Sequence, residues 1–272
     1  NAERLAVLAG KLCTIAKSAD TTHPVTLAAA FPELSAKLGF IDAVDVAGYN
    51  YRENLYAEHH LAFPDKPFLG SENGHRLQDW RAVTDNEYIS GQFLWTGIDY
   101  LGEAHGWPIH GSSAGLITLA GFEKPGYYRR QSFWSDTPVI HLTTIRKSDN
   151  CVTSWGETAE DAYACEFAPS AESWNYCAGE MITVKCYTNL KSFELILNNK
   201  KLGTYEKDQD KDCVITTIRF EPGVLTAKGS ENDISVSHSL HTTMAACQMS
   251  IEEYTLNQEA CDIRGFHFRR AW

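Results

Sequence analysis

The chain of 272 residues is long enough for one large or two medium-sized domains, and its 43% hydrophobic content can supply their cores. A formal net charge of -11, without a long basic run, argues against nucleic acid and an anionic membrane surface as partners. No stretch approaches the roughly 20 consecutive apolar residues of a membrane-spanning helix, and residues 1–4 do not resemble a secretory leader.

The first half of the chain alternates helical and strand-like periodicity. A helix is predicted over residues 2–16, where four apolar residues recur at helical spacing: Leu5, Leu8, Leu12 and Ile15. Strands are predicted at 22–28, 42–51, 67–71 and 90–99. Helices are predicted between them, at 51–60 and around 86–90. Repeated βα units of this kind imply a parallel sheet.

The pattern changes at about residue 136, where helical periodicity fades and alternation with a period of two begins. Strands are predicted at 181–187, 193–197, 213–220, 234–238 and 248–254, with turns at 198–203 and 221–223. Several short strands at this spacing favour a β-sandwich. We therefore predict a first domain over residues 1–135 and a second over 136–272.

The cysteines are concentrated in the second half. Only Cys13 precedes it, and seven follow: Cys151, Cys165, Cys177, Cys186, Cys213, Cys247 and Cys261. None forms a C-x-x-C pair, and the nearby histidines lack the spacing of a zinc site. The cysteines are either disulfide-bonded in an oxidising compartment or free and buried; the spacing slightly favours free, buried thiols.

The segment 66–75 carries the strongest sign of chemistry. An apolar run ends in Gly70 and Ser71, and Glu72 follows at once. A buried parallel strand delivers an acid to the mouth of an α/β barrel in this way. A glycosidase needs two such carboxylates, and the sequence shows one. The alternative is a surface glutamate that happens to follow a strand.

Several segments, in the same order, resemble glycoside hydrolase family 2, the group of β-galactosidases and β-glucuronidases. They are residues 45–51, 70–72, 91–103, 107–108 and 121–128. Residues 194–203 resemble the immunoglobulin-like domain that follows the catalytic barrel in bacterial members. The resemblance covers nearly the whole chain. It implies an α/β fold followed by all-β: strands five to eight of a (β/α)8 TIM barrel, then an immunoglobulin-like β-sandwich.

The resemblance also implies roles for individual residues. Glu72 aligns with the nucleophile, and Tyr49 with the tyrosine that hydrogen-bonds near it; a packing tyrosine at the barrel rim is the alternative. Asn50 would hold a sugar hydroxyl or cap the next helix. His75 would lie near the hydroxymethyl group of the sugar, and Trp95 would form the floor of the sugar site.

Three further residues lie on the loop after the last strand: Asp99, Glu103 and Trp107. By resemblance they would shape the leaving-group subsite or bind a cation. No organic cofactor is expected, and no metal ligand is assigned. A structural Mg²⁺ or Na⁺ ion stays open, because the sequence does not establish it.

The activity implied is that of a retaining exo-β-glycosidase, with β-galactosidase favoured, which hydrolyses terminal β-galactosides through a glycosyl-enzyme intermediate. In the family the general acid/base glutamate ends strand four in an Asn-Glu pair. The pair Asn86–Glu87 falls between strands seven and eight and fits poorly. The acid/base is therefore expected outside these residues, in the N-terminal part of the enzyme, and the isolated chain is expected to be inactive.

Two alternatives stay open. Within the family, the enzyme could be a β-glucuronidase or a β-mannosidase. In another class, the chain could be a non-catalytic carbohydrate-binding or structural fragment. The expected partners are a β-linked glycan, the missing N-terminal part and, through open strand edges, a second copy of the chain. The resemblance favours a periplasmic or secreted location over the cytoplasm.

Overall fold

The computed structural model describes residues 2–104, 106–146, 170–243, 248–258 and 261–271. In these residues helices alternate with parallel strands as far as Leu94, and the strands after that residue are antiparallel. The predicted order, α/β followed by all-β, is therefore observed. Within the described part of the chain, no helix has the length and apolar character needed to cross a membrane.

The first sheet holds four parallel strands in chain order: β1 (Thr26–Ala29), β2 (Val46–Asn50), β3 (Phe68–Asn73) and β4 (Ile89–Leu94). Helix α1 (Ala2–Ala19) precedes it. The strands are connected by α2 (Pro32–Lys37), by a 3-10 helix (Glu53–Leu55) with α3 (Tyr56–Ala62), and by α4 (Leu77–Thr84). Parallel pairing requires such crossovers, because a hairpin cannot join parallel strands. The carboxyl ends of all four strands consequently share one edge.

One face of this sheet packs against its helices, where Tyr49, Phe68 and Val83 belong to one apolar core. Other apolar residues face solvent: Phe93 of β4 is 64% exposed. The predicted N-terminal helix is confirmed, but the apolar residues of its stripe are also exposed: Leu5, Leu8, Leu12 and Ile15.

The second unit is built from two antiparallel sheets. One contains β7 (Ile140–Arg146), β8 (Met181–Thr188) and β11 (Val214–Arg219), in the order β11-β8-β7. The other contains β9 (Ser192–Leu197), β10 (Lys200–Glu206), β12 (Val224–Glu231) and β13 (Ile234–His241), in the order β10-β9-β12-β13. Residues of both sheets enclose one core, in which Leu142, Trp174, Leu195 and Leu225 are fully buried.

The remaining described elements are two short strands, one helix and two hairpins. Two short strands, β5 (Tyr100–Leu101) and β6 (Gly111–Ser112), lead from β4 to α5 (Pro125–Trp134), which lies against β7 and β8. The predicted hairpin between β9 and β10 is confirmed. Its turn residues Asn198 and Asn199 have φ values of 51° and 64°, as a type I′ turn requires. A last hairpin pairs β14 (Gln248–Gln258) with β15 (Cys261–Ala271).

The helix predicted around residues 86–90 is wrong. These residues turn into β4, and the helix between β3 and β4 is α4, which begins at Leu77. The Arg76 N–H donates to the Asp79 carboxylate at 3.3 Å, which fixes the first turn of the helix. Six strands were not predicted: β5, β6, β7, β10, β12 and β15. Strand β7 is buried on both faces although it contains polar residues, so it shows no alternation.

The cysteines whose side chains the structure describes are thiols that form no disulfide bond. Cys13, Cys186 and Cys213 are buried, and Cys177 is exposed. Burial raises the pKa of the Cys186 thiol, which keeps it protonated and unreactive. The remaining cysteines lie outside the residues whose side chains are described: Cys151, Cys165, Cys247 and Cys261.

Candidate functional site

Three neighbouring strands deliver polar and aromatic residues to one edge of the parallel sheet. Glu72 lies near the end of β3, Asn50 ends β2 and is paired with it in register, and Trp95 follows β4. The Tyr51 N–H donates to the Glu72 carbonyl oxygen at 2.8 Å, and the Trp95 N–H donates to the Asn73 carbonyl oxygen at 3.1 Å. This edge is where α/β proteins usually bind ligands. The predicted nucleophile and the predicted sugar platform therefore lie on neighbouring strand ends.

The Glu72 carboxylate is contacted by Tyr51. The two side chains are hydrogen-bonded, and burial together with the negative charge of Glu72 raises the pKa of the phenol. The phenol therefore stays protonated and donates to the carboxylate. Tyr51 has a φ of 53°, in the left-handed region that a bulky residue occupies at a cost of about 1–3 kcal/mol. Strain of this kind is typical of functional sites, and here it falls on the residue that reaches the carboxylate.

Tyr49, predicted to make this contact, lies elsewhere. Its side chain is 0% exposed, and its hydroxyl is 2.6 Å from Nδ1 of the buried His59. Its ring meets that of Phe68 edge-on at 5.4 Å. Tyr49 is paired with Gly70, two residues before Glu72, whereas the Tyr51 N–H donates to the Glu72 carbonyl oxygen. The contact with Glu72 therefore lies two residues later in the chain than predicted. Sequence reasoning missed Tyr51, although it follows the strand directly, where an active site was expected.

Asn50 links the two strands that carry the site. Its Oδ1 accepts a hydrogen bond of 2.8 Å from the Ser71 hydroxyl. The Asn50 amide oxygen is therefore already hydrogen-bonded within the protein. Binding of a sugar hydroxyl by Asn50 stays a prediction, and the amide nitrogen is the group that would make the contact.

His75 lies in the turn after β3, with its ring nitrogen Nε2 2.8 Å from the Trp95 carbonyl oxygen. A carbonyl only accepts, so Nε2 carries the proton. The His75 backbone carbonyl oxygen accepts a 3.0 Å hydrogen bond from Arg129 Nη2. Burial, and then the positive charge of Arg129, lower the pKa of His75 to about 4. His75 is therefore uncharged and connects the turn after β3 to the end of β4. Contact between His75 and a sugar stays a prediction, and it would involve ring atoms other than Nε2.

Trp95 presents its ring partly to solvent, with 38% of the residue exposed. The edge of Tyr100 lies against it, with 5.7 Å between the ring centroids. The backbone on both sides of the ring is fixed by Asn73 and His75. A half-exposed, fixed indole beside a carboxylate suits the apolar face of a sugar ring.

The three loop residues differ in their surroundings. Asp99 Oδ1 accepts from Lys124 Nζ at 2.7 Å and from the Gly115 N–H at 2.9 Å, so its carboxylate is used to hold the loop. Glu103 accepts a hydrogen bond from the Tyr100 hydroxyl. Trp107 is 90% exposed. In the structure as it stands, these contacts do not bring the three side chains to Glu72.

A second carboxyl group, absent from the sequence prediction, lies under the turn after β3. Glu53 Oε1 accepts from the Gly74 N–H at 3.4 Å. Burial raises the pKa of its carboxyl group, and the negative charge of Asp79 acts in the same direction. Within the residues that the structure describes, no group of three or more His, Cys, Asp or Glu side chains is arranged to hold a metal ion.

The chain is similar to several known proteins. Residues 179–237 match the model of a domain of unknown function, DUF4982; they fall within the sandwich. The chain is 29% identical to Beta-galactosidase BoGH2A of Bacteroides ovatus in an alignment that covers 83% of the chain and 29% of that protein.

Solved structures agree. A glycosyl hydrolase family 2 member from Bacteroides cellulosilyticus superposes with a TM-score of 0.77 at 25% identity, over 93% of this chain and 35% of that one. A beta-glucuronidase from Bacteroides uniformis superposes with a TM-score of 0.64 at 21% identity, over 90% of this chain and 32% of that one. The chain thus spans about a third of the length of these proteins. The resemblance seen in the sequence is confirmed.

Proposed function

We propose that this chain, which is similar to members of glycoside hydrolase family 2, is the C-terminal part of a retaining exo-β-glycosidase. In this proposal the four parallel strands are strands five to eight of a (β/α)8 barrel, and the antiparallel sheets are an immunoglobulin-like sandwich. The observation that carries the proposal is the Glu72 carboxylate at the end of β3, hydrogen-bonded by Tyr51 beside the half-exposed Trp95.

Glu72 is the nucleophile in this mechanism. Its carboxylate attacks the anomeric carbon while the bond to the leaving oxygen breaks, and a general acid protonates that oxygen. The same acid, now a base, removes a proton from water, which attacks the anomeric carbon and releases Glu72. Retention requires the two carboxyl groups to lie about 5–5.5 Å apart. The second is supplied by a glutamate outside these 272 residues.

Tyr51 and Trp95 assist this chemistry without entering it. The Tyr51 phenol orients the Glu72 carboxylate and leaves it ionised, because at neutral pH a phenol donates a hydrogen bond without transferring its proton. Trp95 offers a flat apolar face to the sugar, and its backbone contacts with Asn73 and His75 fix the ring relative to Glu72.

A neutral sugar is favoured, and a β-galactoside in particular. A glucuronidase needs cationic groups for the substrate carboxylate. Two cations near the site are already engaged: Arg129 with the His75 carbonyl oxygen and Asp212, and Lys124 with Asp99. The relative from Bacteroides ovatus is named a beta-galactosidase, which agrees. Hydrolysis of β-glucuronides or β-mannosides is the alternative within the family.

The exposed apolar residues support the half-barrel proposal. The α1 stripe and Phe93 of β4 would be covered by the preceding βα units of the enzyme, which close the barrel. A non-catalytic fragment would need a different cover for the same surface. The two proposals differ in whether the preceding half restores turnover.

The test is hydrolysis of a panel of nitrophenyl β-glycosides by the chain alone and by the chain combined with a polypeptide that supplies strands one to four. Turnover only in the combination, best on the galactoside and abolished by Glu72→Gln, is expected. Glu87→Gln is the matched control, since Glu87 precedes β4 at the opposite edge of the sheet. Loss of turnover in the control, or none with any sugar in the combination, would contradict the proposal.

A further inference from the structure

A pair of buried charges joins the parallel-sheet unit to the sandwich. Asp212 lies between β10 and β11, and Arg129 lies on α5. Their side chains are 2% and 5% exposed, and Arg129 Nη1 is 3.8 Å from Asp212 Oδ2. Asp212 Oδ1 also accepts a 3.3 Å hydrogen bond from the N–H of Leu77, the first residue of α4. One carboxylate of the sandwich therefore contacts two helices of the other unit.

The same arginine reaches the candidate active site. Arg129 Nη2 donates to the His75 carbonyl oxygen at 3.0 Å, and His75 Nε2 donates to the Trp95 carbonyl oxygen at 2.8 Å. His75 follows Glu72 in the turn after β3, and Trp95 follows β4. Polar contacts thus run without a break from the sandwich to the strand ends that carry the nucleophile and the aromatic platform.

We infer that Asp212 is a positioning residue for the glycosidase site. It holds the Arg129 guanidinium in place, and Arg129 fixes the turn at His75 and, through it, the backbone of Trp95. The catalytic part of this inference rests on the proposed function, whereas the structural part does not. The sandwich would then act in catalysis, although none of its residues need touch the substrate.

The physical reason is the burial of both charges. Removing the negative charge of a carboxylate beside a buried guanidinium is costly, because a large share of the electrostatic compensation of that charge is lost. Arg129 would then move away from the His75 carbonyl oxygen. The turn would keep its hydrogen bond to Trp95 but lose the anchor that limits its position. A displacement near 1 Å at a reacting group is enough to lower a rate strongly.

A second ion pair at the same junction provides a matched control. Arg81 of α4 contacts Asp210 at 2.6 Å, but the Asp210 side chain is 85% exposed. Arg81 also donates to the Gln209 carbonyl oxygen at 2.6 Å. Exposed pairs contribute little, because solvent screens them. Asp210→Asn therefore removes a charge from the same loop without disturbing the contacts at His75.

The experiment compares Asp212→Asn with Asp210→Asn in the chain, by hydrogen–deuterium exchange, and in the combination with strands one to four, by kinetics. Asn keeps the shape of Asp and an acceptor for Leu77. We expect Asp212→Asn to accelerate exchange in residues 73–79 about tenfold, with strands β8 and β9 unchanged, and to lower kcat about tenfold with little change in KM. Asp210→Asn should alter neither quantity more than about twofold.

Equal exchange in residues 73–79 of both variants would overturn the inference, as would acceleration spread evenly over both units. If Asp212→Asn does not fold, Arg129→Lys replaces it, since lysine keeps the charge but loses the fork that joins Asp212 to His75. Failure of both variants to fold would also overturn it, because the pair would then serve folding alone. If the unmodified combination hydrolyses no glycoside, the proposed function fails while the exchange result still decides the structural part.

Discussion

Two tyrosines, two residues apart, should respond in opposite ways to the loss of their hydroxyl groups. Tyr49 is buried and bonded to His59, whereas Tyr51 is bonded to the Glu72 carboxylate. We predict that Tyr49→Phe lowers stability and leaves the chemistry intact. Tyr51→Phe should lower turnover and leave stability intact. Each variant is the control for the other, because the chemical change is identical.

The size of the Tyr49 effect follows from burial. Tyr49 is 0% exposed and His59 is 7% exposed, and the atoms joined are 2.6 Å apart. Removing the hydroxyl leaves a buried ring nitrogen of His59 without this partner, which costs about 1–3 kcal/mol. For a chain of this size each kcal/mol shifts the melting temperature by about 2–4 °C. A decrease of several degrees is therefore expected for Tyr49→Phe.

The Tyr51 effect is catalytic. A hydrogen bond to a charged acceptor contributes about 1.5–3 kcal/mol, and the lower end applies here because Tyr51 is 37% exposed. If that energy is realised in the transition state, kcat/KM falls about tenfold. The free energy of unfolding should change by less than about 0.5 kcal/mol, as is usual for exposed positions.

Both variants are assayed by thermal unfolding of the chain and by nitrophenyl β-galactoside hydrolysis in the combination with strands one to four. A tenfold loss of kcat/KM in Tyr49→Phe, with full activity in Tyr51→Phe, would refute the reasoning and return the contact with Glu72 to the residue predicted from the sequence. Equal melting temperatures for Tyr49→Phe and the unmodified chain would refute the stability part.

Two further predictions concern a tight contact and pH. Gly70→Ala should lower the free energy of unfolding, measured by urea titration, by about 3 kcal/mol or more, because the new Cβ would lie 1.7 Å from Oδ1 of the buried Asn73. Gly97→Ala is the control: no atom lies within 4 Å of its new Cβ, so the free energy of unfolding should change by less than about 0.5 kcal/mol. Burial lowers the pKa of His141 from 6.5 to about 4, so the unfolded chain binds the imidazole proton more tightly than the folded chain does. The contribution of neutral His141 to the free energy of unfolding is therefore present above pH 6.5 and is lost as the pH falls towards 4. The loss should be of order 2–3 kcal/mol. His141→Phe should flatten the dependence of stability on pH in this window, and an unchanged slope would contradict the assignment.

Burial of His141 prevails over an opposing influence. Its Nε2 is 2.9 Å from the Glu172 carboxylate, which would favour a charged imidazole. However, the Glu172 side chain is 42% exposed, so solvent screens its charge, whereas the His141 side chain is 4% exposed. The ring is also stacked on Tyr128 at 3.5 Å and lies 4.0 Å from His238. The neutral form is therefore favoured in the folded chain.

The parts of the site that could be predicted are those encoded by neighbouring residues. The apolar run before Glu72 marks a buried strand, and the carboxylate follows it directly, so both the strand and the acid were located from local pattern. Trp95 was assigned through the family resemblance, and the strand predicted there ran over residues 90–99, whereas β4 ends at Leu94. A few consecutive residues therefore mark the strand end at Glu72 but not the one at Trp95.

The parts that could not be predicted depend on pairing across the chain. The pairing of β2 with β3 sets Tyr49 beside Gly70, two residues before Glu72, and nothing in residues 45–51 encodes the partner strand. Asp99 appeared to be available to a ligand because its partner, Lys124, lies far along the chain. These contacts could be seen only in the fold.

The same reasoning applies to the boundary between the two units. Composition changes at about residue 136, just after α5, but α5 is packed on both sides. Its Trp134 meets Trp80 of α4 edge-on at 6.3 Å, while its Tyr128 stacks on His141 of β7 at 3.5 Å. Its two arginines are buried: Arg129 beside Asp212, and Arg130 over the Trp80 ring at 4.4 Å. A cut after α5 would separate Tyr128 from His141 and Arg129 from Asp212, so contacts of buried groups cross the position at which the sequence pattern changes.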